Sequence, residues 1–225
     1  MTAKFRHSTP KLENGDRVTR DEFERRYHQM PHLKKAELIE GVVYVPSPLR
    51  YNQHGKPHSQ IMTWLGNYAA TTPSLETANN TTLRLDFDNE VQPDALLRVD
   101  ESCGGTSRIS EDDYLEGAPE LIVEIAGSSA SYDLHDKLQV YRRHGVREYL
   151  VWIVTEQTFR WYVWKQGAFQ EQFSNEAGIL KSQFFPGLWL DVSALLAGEM
   201  QQVLTVLNTG LKSTEYQTFV KQLNH

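Results

Sequence analysis

One short run of residues constrains this 225-residue chain more than any other feature. Residues 121–126 read Leu-Ile-Val-Glu-Ile-Ala, an almost wholly apolar stretch that is typical of a strand buried on both faces. Glu124 stands inside this run. A carboxylate is almost never buried unless it is paired, because removing a bare charge from water costs several kcal/mol. Glu124 is therefore predicted to meet a metal ion or a catalytic partner; the structural alternative is an arginine at a frayed strand end.

The hydrophobic patterning predicts an α/β fold. Short β-branched or alternating segments are separated by stretches with apolar residues at helical spacing. The predicted strands are residues 37–45 (two arms around Gly41), 81–87, 95–99, 121–125, 148–154, 159–164, and a pair at 169–173 and 179–184. The predicted helices begin at a capping box of Thr19 and Glu22, near Pro57, near Tyr132 and at Leu190. This order favours a mixed central sheet flanked by helices, with added C-terminal β-hairpins.

Composition narrows the class of protein. The chain carries 23 Lys and Arg against 29 Asp and Glu, a net charge of −6, which argues against a histone-like nucleic-acid binder but not against an enzyme with a local basic cleft. Its longest apolar run is residues 149–154, far short of the ~20 that span a membrane. The polar N-terminus lacks a signal-peptide pattern, and a lone Cys103 excludes an internal disulfide. We expect a cytoplasmic protein with no membrane partner.

The domain organisation follows from the same patterns. Residues 1–17 are predicted to form a flexible leader, residues 18–200 a single domain, and residues 201–225 a C-terminal helical extension. The length fits one full domain or two small ones.

Two further polar residues accompany Glu124. Asp94 follows Pro93 at the start of a predicted strand, and two carboxylates on neighbouring strands can hold one Mg²⁺ ion. Lys137 lies on the predicted helix after Glu124, where Asp133, Lys137 and Tyr141 are spaced at i, i+4 and i+8 on one face. A lysine beside such a metal can orient a water or neutralise developing charge. The alternatives are ordinary turn chemistry for Asp94 and a solvated Lys137–Asp133 pair.

These residues carry a family resemblance. Pro93-Asp94, followed about 30 residues later by Glu124 in a strand, resembles the PD-(D/E)XK nuclease superfamily. The closer resemblance is to the Uma-type family of restriction endonucleases, over residues 19–197. It rests on residues 37–41 (ELIEG), His58, Pro93-Asp94, residues 119–129 (PELIVEIAGSS), Asp133, Lys137, Tyr141, residues 145–149 (GVREY) and residues 185–188 (FPGL).

The resemblance implies a restriction-endonuclease-like fold and a metal-dependent endonuclease. Asp94 and Glu124 would hold Mg²⁺ or Mn²⁺, with Glu37 as a further metal ligand, and a metal-held water would attack a phosphodiester and leave a 5′-phosphate. The superfamily's usual lysine stands two residues after the glutamate, where this chain has Ala126; the Uma-type pattern moves that lysine onto the following helix, at Lys137. The implied partner is nucleic acid, above all DNA, and the implied assembly is a homodimer.

Several residues are secondary candidates. His58 and Tyr141 could support the site, and Arg84, Arg142 and Arg143 could line a nucleic-acid cleft. The alternatives without a function are a structural role for His58, a solvated strand-edge position for Glu37, and a solvated basic helix face for the arginines. Two other functions stay open: a catalytically inactive interaction module with the nuclease fold, which Ala126 favours, and a structural oligomer in which Glu124 forms only a buried ion pair.

Overall fold

A computed structural model of the chain describes residues 10–46, 48–127 and 133–223. The strands of this part of the chain, in order, are β1 (Glu37–Ile39), β2 (Val42–Tyr44), β3 (Leu75–Ala78), β4 (Leu83–Arg84), β5 (Glu90–Val91), β6 (Ala95–Val99), β7 (Arg108–Ile109), β8 (Leu115–Glu116), β9 (Leu121–Ala126), β10 (Glu148–Ile153), β11 (Thr158–Lys165), β12 (Ala168–Gln172), β13 (Ile179–Lys181) and β14 (Trp189–Asp191).

The helices are α1 (Arg20–Tyr27), α2 (Lys56–Thr71), α3 (Asp136–Arg143), α4 (Val192–Ala197), α5 (Met200–Gly210) and α6 (Thr214–Leu223). A π-helical segment, Tyr51–Gly55, runs directly into α2. Among the described residues, every helix is too short or too polar to cross a membrane.

The central sheet has the strand order β12-β11-β10-β9-β6-β3. Its neighbours pair antiparallel except β9 and β10, which run parallel. A parallel pair needs a crossover connection, and α3 lies in the chain between these two strands. The expected mixed sheet is therefore present, and the strand that contains Glu124 lies near its middle.

The two faces of this sheet bury two different cores. On β9, Leu121, Val123 and Ile125 join a core with α2 and the C-terminal helices, whereas Ile122 and Ala126 join a core with Val140 and Tyr141 of α3. Side chains alternate across a strand with a period of two. Glu124 therefore belongs to the face that α3 covers.

A second, smaller sheet of short strands has the order β2-β1-β5-β4-β8-β7. Its β1–β2 hairpin turns through Glu40 (φ +52°) and Gly41 (φ +72°), a left-handed pair that matches the twist of a tight hairpin. Leu38 and Val43 of the hairpin pack with Phe23 of α1 in a third core. The predicted two arms around Gly41 are confirmed.

Four predictions of local structure are wrong, two of them in the N-terminal half of the chain. The strand expected over residues 81–87 is only Leu83–Arg84, and Phe87 is exposed. The Thr19 side chain makes no capping hydrogen bond, and the carboxylate of Glu22 accepts hydrogen bonds from Arg25 and Arg26 instead of reaching back to the start of the helix.

The expected pairing of residues 169–173 with 179–184 is also absent. Strand β12 pairs with β11, whereas β13 pairs with β14, which lies inside the segment expected to be helical from Leu190. Helices α4 to α6 follow β14, and Val203, Leu207 and Tyr216 from this region join the core beneath α2.

Candidate metal and catalytic site

Strand pairing places the two candidate carboxylates side by side. Strands β6 and β9 are antiparallel, with Leu96 opposite Ile122 and Ala95 opposite Val123. Continuing this register by one residue brings Asp94 opposite Glu124, on the face that α3 covers. The Oδ2 atom of Asp94 accepts a hydrogen bond of 2.8 Å from the backbone N–H of Ile125, which ties the two strands together at this point.

Lys137 reaches this pair from α3. Its Nζ atom lies 2.9 Å from Oε1 of Glu124, 3.0 Å from Oε1 of Glu37 and 3.8 Å from Oδ1 of Asp133. The hydroxyl of Tyr141, one helical turn further on, donates a 2.9 Å hydrogen bond to the same Glu124 oxygen. Lys137 and Tyr141 on α3, and Asp133 shortly before it, are therefore all brought to the site.

Glu37 enters from the first strand of the small sheet. Besides contacting Lys137, its Oε1 atom accepts a 2.7 Å hydrogen bond from the backbone N–H of Gln92, two residues before Asp94. Glu37 is buried rather than a solvated edge acid. Glu40, the next acid on this hairpin, pairs instead with the exposed Arg143.

Two histidines and a lysine surround Asp94. The Nε2–H of His54 donates to Oδ1 of Asp94 at 3.0 Å, and Lys35 Nζ lies 3.6 Å from the same oxygen. Lys35 also donates a 2.8 Å hydrogen bond to the carbonyl of Gln92. The Nε2–H of His58 donates at 2.8 Å to the backbone carbonyl of Asp94, not to its carboxylate. His58 thus fixes the chain that carries the acid.

The site contains more negative than positive charge. We call the following group the acidic cluster: the carboxylates of Glu37, Asp94, Glu124 and Asp133 and the ammonium groups of Lys35 and Lys137. With every group ionised and His54 neutral, its four acids exceed its two lysines by two charges. All four acids are buried, and Glu124 is only 2% exposed.

The pKa values reflect this imbalance. Burial raises the pKa of Glu124 well above its usual range; the Lys137 ammonium opposes that rise, and the Asp94, Asp133 and Glu37 carboxylates add to it. Burial also acts to raise the pKa of Asp94, but the hydrogen bond from His54 and the charge of Lys35 outweigh it and hold that pKa below its usual range. A buried excess of carboxylate charge favours the binding of a cation.

The donor set fits one kind of metal better than others. Among the described residues, no group of three or more His, Cys, Asp or Glu side chains is placed to hold a metal ion, so none forms the closed cage of a structural zinc site. Zn²⁺ in structural sites requires such a cage, whereas Mg²⁺ is usually held by one or two carboxylates and keeps several waters. The carboxylates of Asp94 and Glu124 match the second pattern.

Comparison with known proteins decides the family. Residues 20–193 match the Uma2 family, which is described as "Putative restriction endonuclease". The chain belongs to the Uma2 family. No curated protein matches this Uma2 chain. A solved structure from Anabaena variabilis, described as a "putative nuclease belonging to DUF820", is similar with a TM-score of 0.54 and 14% identity, over 81% of this chain and 97% of the other. That likeness shows a shared fold, and the expected fold class is confirmed.

The three arginines expected at a nucleic-acid cleft lie elsewhere in this Uma2 chain. Arg84 is buried, and its guanidinium lies 2.8 Å from Glu24, 2.9 Å from Asp112 and within 4 Å of Glu90 and Glu116. Arg142 donates to the carbonyl of Gly167, and Arg143 pairs with Glu40. Both follow Lys137 on α3 by more than about 100° of helical rotation, so neither shares its face. The structure brings none of the three to the acidic cluster.

The sequence analysis missed Lys35 and His54. His54 precedes His58 by four residues, and that spacing puts two side chains on one helical face. The spacing of this histidine pair is therefore the signal that could have indicated His54. Lys35 carried no signal, since it precedes β1 in a segment without periodicity.

Proposed function

We propose that this Uma2 protein is a divalent-metal-dependent endonuclease that hydrolyses phosphodiester bonds of nucleic acid. One observation supports this above all others: Asp94, Glu124 and Lys137, far apart in the chain, converge in one buried cluster with excess negative charge. A merely structural ion pair would need one acid and one base. The additional acids Glu37 and Asp133 raise the cost of burial unless a further cation is bound.

Asp94 and Glu124 are the residues that would hold Mg²⁺ or Mn²⁺, with Glu37 as the next available oxygen ligand. A divalent ion held here would polarise a phosphoryl oxygen and neutralise the negative charge that develops on it. The two acids are already fixed for this task, since Asp94 is held by Ile125 and His58, and Glu124 by Tyr141.

We assign to Lys137, which comes from a helix, the role of the superfamily's catalytic lysine. Its ammonium sits between Glu37 and Glu124; burial alone would lower its pKa, but the charges of Glu124, Glu37 and Asp133 outweigh burial, raise that pKa and keep the lysine charged. A fixed ammonium there can orient an attacking water and stabilise the charge that builds up around phosphorus. Ala126, two residues after Glu124, leaves the space on this face of β9 without a competing cation.

The resemblance to the PD-(D/E)XK superfamily implies the reaction and its products. A water oxygen attacks phosphorus in line, the bond from phosphorus to the 3′ oxygen breaks, and the products are a 3′-hydroxyl and a 5′-phosphate. DNA is the substrate we propose, with a homodimer supplying two sites for two strands; the assembly rests on analogy with the fold alone.

Incubation of supercoiled plasmid with the purified chain and Mg²⁺ or Mn²⁺ tests the proposal. We expect nicking by the wild type and its loss in Asp94→Asn, Glu124→Gln and Lys137→Met. Glu148→Gln is the matched control, because Glu148 is an equally buried glutamate on the adjacent strand β10 whose carboxylate contacts Ser182 and Gln183 rather than the acidic cluster.

Equal cleavage by the wild type and all three site variants would assign the activity to a contaminant. Metal binding without cleavage of any nucleic acid would instead support the inactive interaction module.

A further inference from the structure

Residues 48–56 expose two large hydrophobic side chains beside the acidic cluster. Leu49 is 62% exposed and Tyr51 is 75% exposed, among the largest values for hydrophobic residues in the described part of the chain. The ring of Tyr51 stands beside Gly55, where its Cδ2 atom would lie 4.0 Å from a Cβ. Since Gly55 has no side chain, the Tyr51 ring is left uncovered.

The same segment reaches into the site. His54, three residues after Tyr51, is buried and donates to Asp94. Its neighbour Gln53 lies against Gly127 at the end of β9, where a Cβ on Gly127 would be 3.6 Å from the Gln53 carbonyl oxygen. One short segment therefore carries a histidine that contacts a proposed metal ligand and, three residues earlier, an exposed aromatic ring.

Two basic side chains on this segment are not used in ion pairs with the described part of the chain. Arg50 and Lys56 are both exposed, and neither forms an ion pair with any described residue. Most other arginines are engaged: Arg25 and Arg26 pair with Glu22, and Arg108 with Glu116. A cation that binds phosphate must not be neutralised by the protein's own acids. In a chain with a net charge of −6, a local pair of free cations beside an exposed ring is the pattern of a nucleic-acid contact.

We propose that residues 48–56 bind the substrate strand next to the scissile phosphate, with Tyr51 stacking on an unpaired base and Arg50 binding a backbone phosphate. This inference rests on the proposed nuclease function and names its substrate class: nucleic acid with unpaired bases near the cut, as in single strands, flaps or frayed ends. A protruding ring can stack on a base only where the base is not covered by its neighbours, so an intact duplex offers it nothing comparable.

Fluorescence anisotropy with a labelled oligothymidylate and a blunt duplex of equal length tests this, with Ca²⁺ in place of Mg²⁺. Aromatic stacking is typically worth enough that Tyr51→Ala should weaken binding of the oligothymidylate by about 5- to 150-fold, while duplex binding changes little. Tyr51→Phe should keep the affinity, because it retains the ring. Arg50→Ala should reduce the slope of log affinity against log salt by about 0.7 on the single strand.

Phe173→Ala is the matched control, since Phe173 is 80% exposed and follows strand β12 at the edge of the central sheet. The inference is overturned if Tyr51→Ala binds the single strand as tightly as Phe173→Ala does, or if it weakens duplex binding equally. If binding depends on Tyr51 but no cleavage is detected, the proposed nuclease function is refuted and the binding role of Tyr51 is not. If the wild type cleaves nucleic acid but Tyr51→Ala does not change the binding affinity, this inference is refuted and the proposed nuclease function is not.

Discussion

Replacement of Lys137 by methionine tests how the acidic cluster is held together. Methionine keeps much of the buried stem and removes the ammonium that lies 2.9 Å from Glu124 and 3.0 Å from Glu37. At an effective dielectric constant of about 20, each such contact is worth roughly 5 to 6 kcal/mol before desolvation. Removing one partner from a buried ion pair typically costs about 3–5 kcal/mol net, because it leaves charge uncompensated.

The expected loss is large for a protein of this size. A free energy of unfolding of about 5–15 kcal/mol is normal, so a loss of 3–5 kcal/mol removes a substantial fraction of it. For 150–250 residues each kcal/mol shifts Tm by about 2–4 °C, which predicts a Tm about 6–20 °C lower for Lys137→Met. Thermal unfolding followed by circular dichroism measures this shift directly.

The pH dependence of that deficit identifies its cause. Without the lysine, the pKa of Glu124, which burial already raises, rises further, so the folded variant binds more protons than the unfolded chain. Stability then falls as pH rises, since ∂ΔG/∂pH has the sign of protons bound unfolded minus folded. The deficit of Lys137→Met should therefore be greatest at pH 8 and smaller at pH 5. A deficit of the same size at both pH values, or none at all, would refute the reasoning.

Three further predictions test other parts of the molecule. Burial raises the pKa of Glu148 from 4.5 to about 7. As pH rises from 4.5 to 7, the free energy of unfolding of the wild type should therefore fall by up to about 3 kcal/mol more than that of Glu148→Gln. Identical urea midpoints for the two proteins across that range would contradict this. Gly66→Ala in α2, where a Cβ meets open space, should raise the free energy of unfolding by about 1 kcal/mol. Gly210→Ala should lower it, because the added Cβ would lie 2.2 Å from the carbonyl oxygen of Gly187. Equal urea midpoints for the two variants would contradict the packing of α5. His54→Ala should weaken Mg²⁺ binding about 10- to 100-fold by calorimetry, because His54 orients Asp94; unchanged affinity would remove it from the site.

The sequence predicted the strands of the central sheet other than β3, because those strands carry strong patterns. The run around Glu124 and the strand Ala95–Val99 are long enough to show burial, and both appear where expected. Because side chains alternate along a strand, the position of each residue in these strands then determines on which face of the sheet its side chain lies. Lys137 could be placed near Glu124 because α3 follows that strand directly and its polar residues recur at helical spacing.

The remainder depended on contacts that a linear pattern does not record. Strands β4, β5, β7 and β8 have two residues each, too few for any periodicity. Arg84 looked like a free cation, yet the fold surrounds it with acids from four other segments. His54 reaches Asp94 from a π-helical segment, and the sequence carries no signal for that local geometry.

Isothermal titration of the metal-free chain with Mg²⁺ and with Mn²⁺ tests the claim that the acidic cluster is a divalent-cation site. We predict saturable binding by the wild type and by the Glu148→Gln control, and its loss in Glu124→Gln. Titrations that show no binding to the wild type, or equal binding to Glu124→Gln, would contradict it.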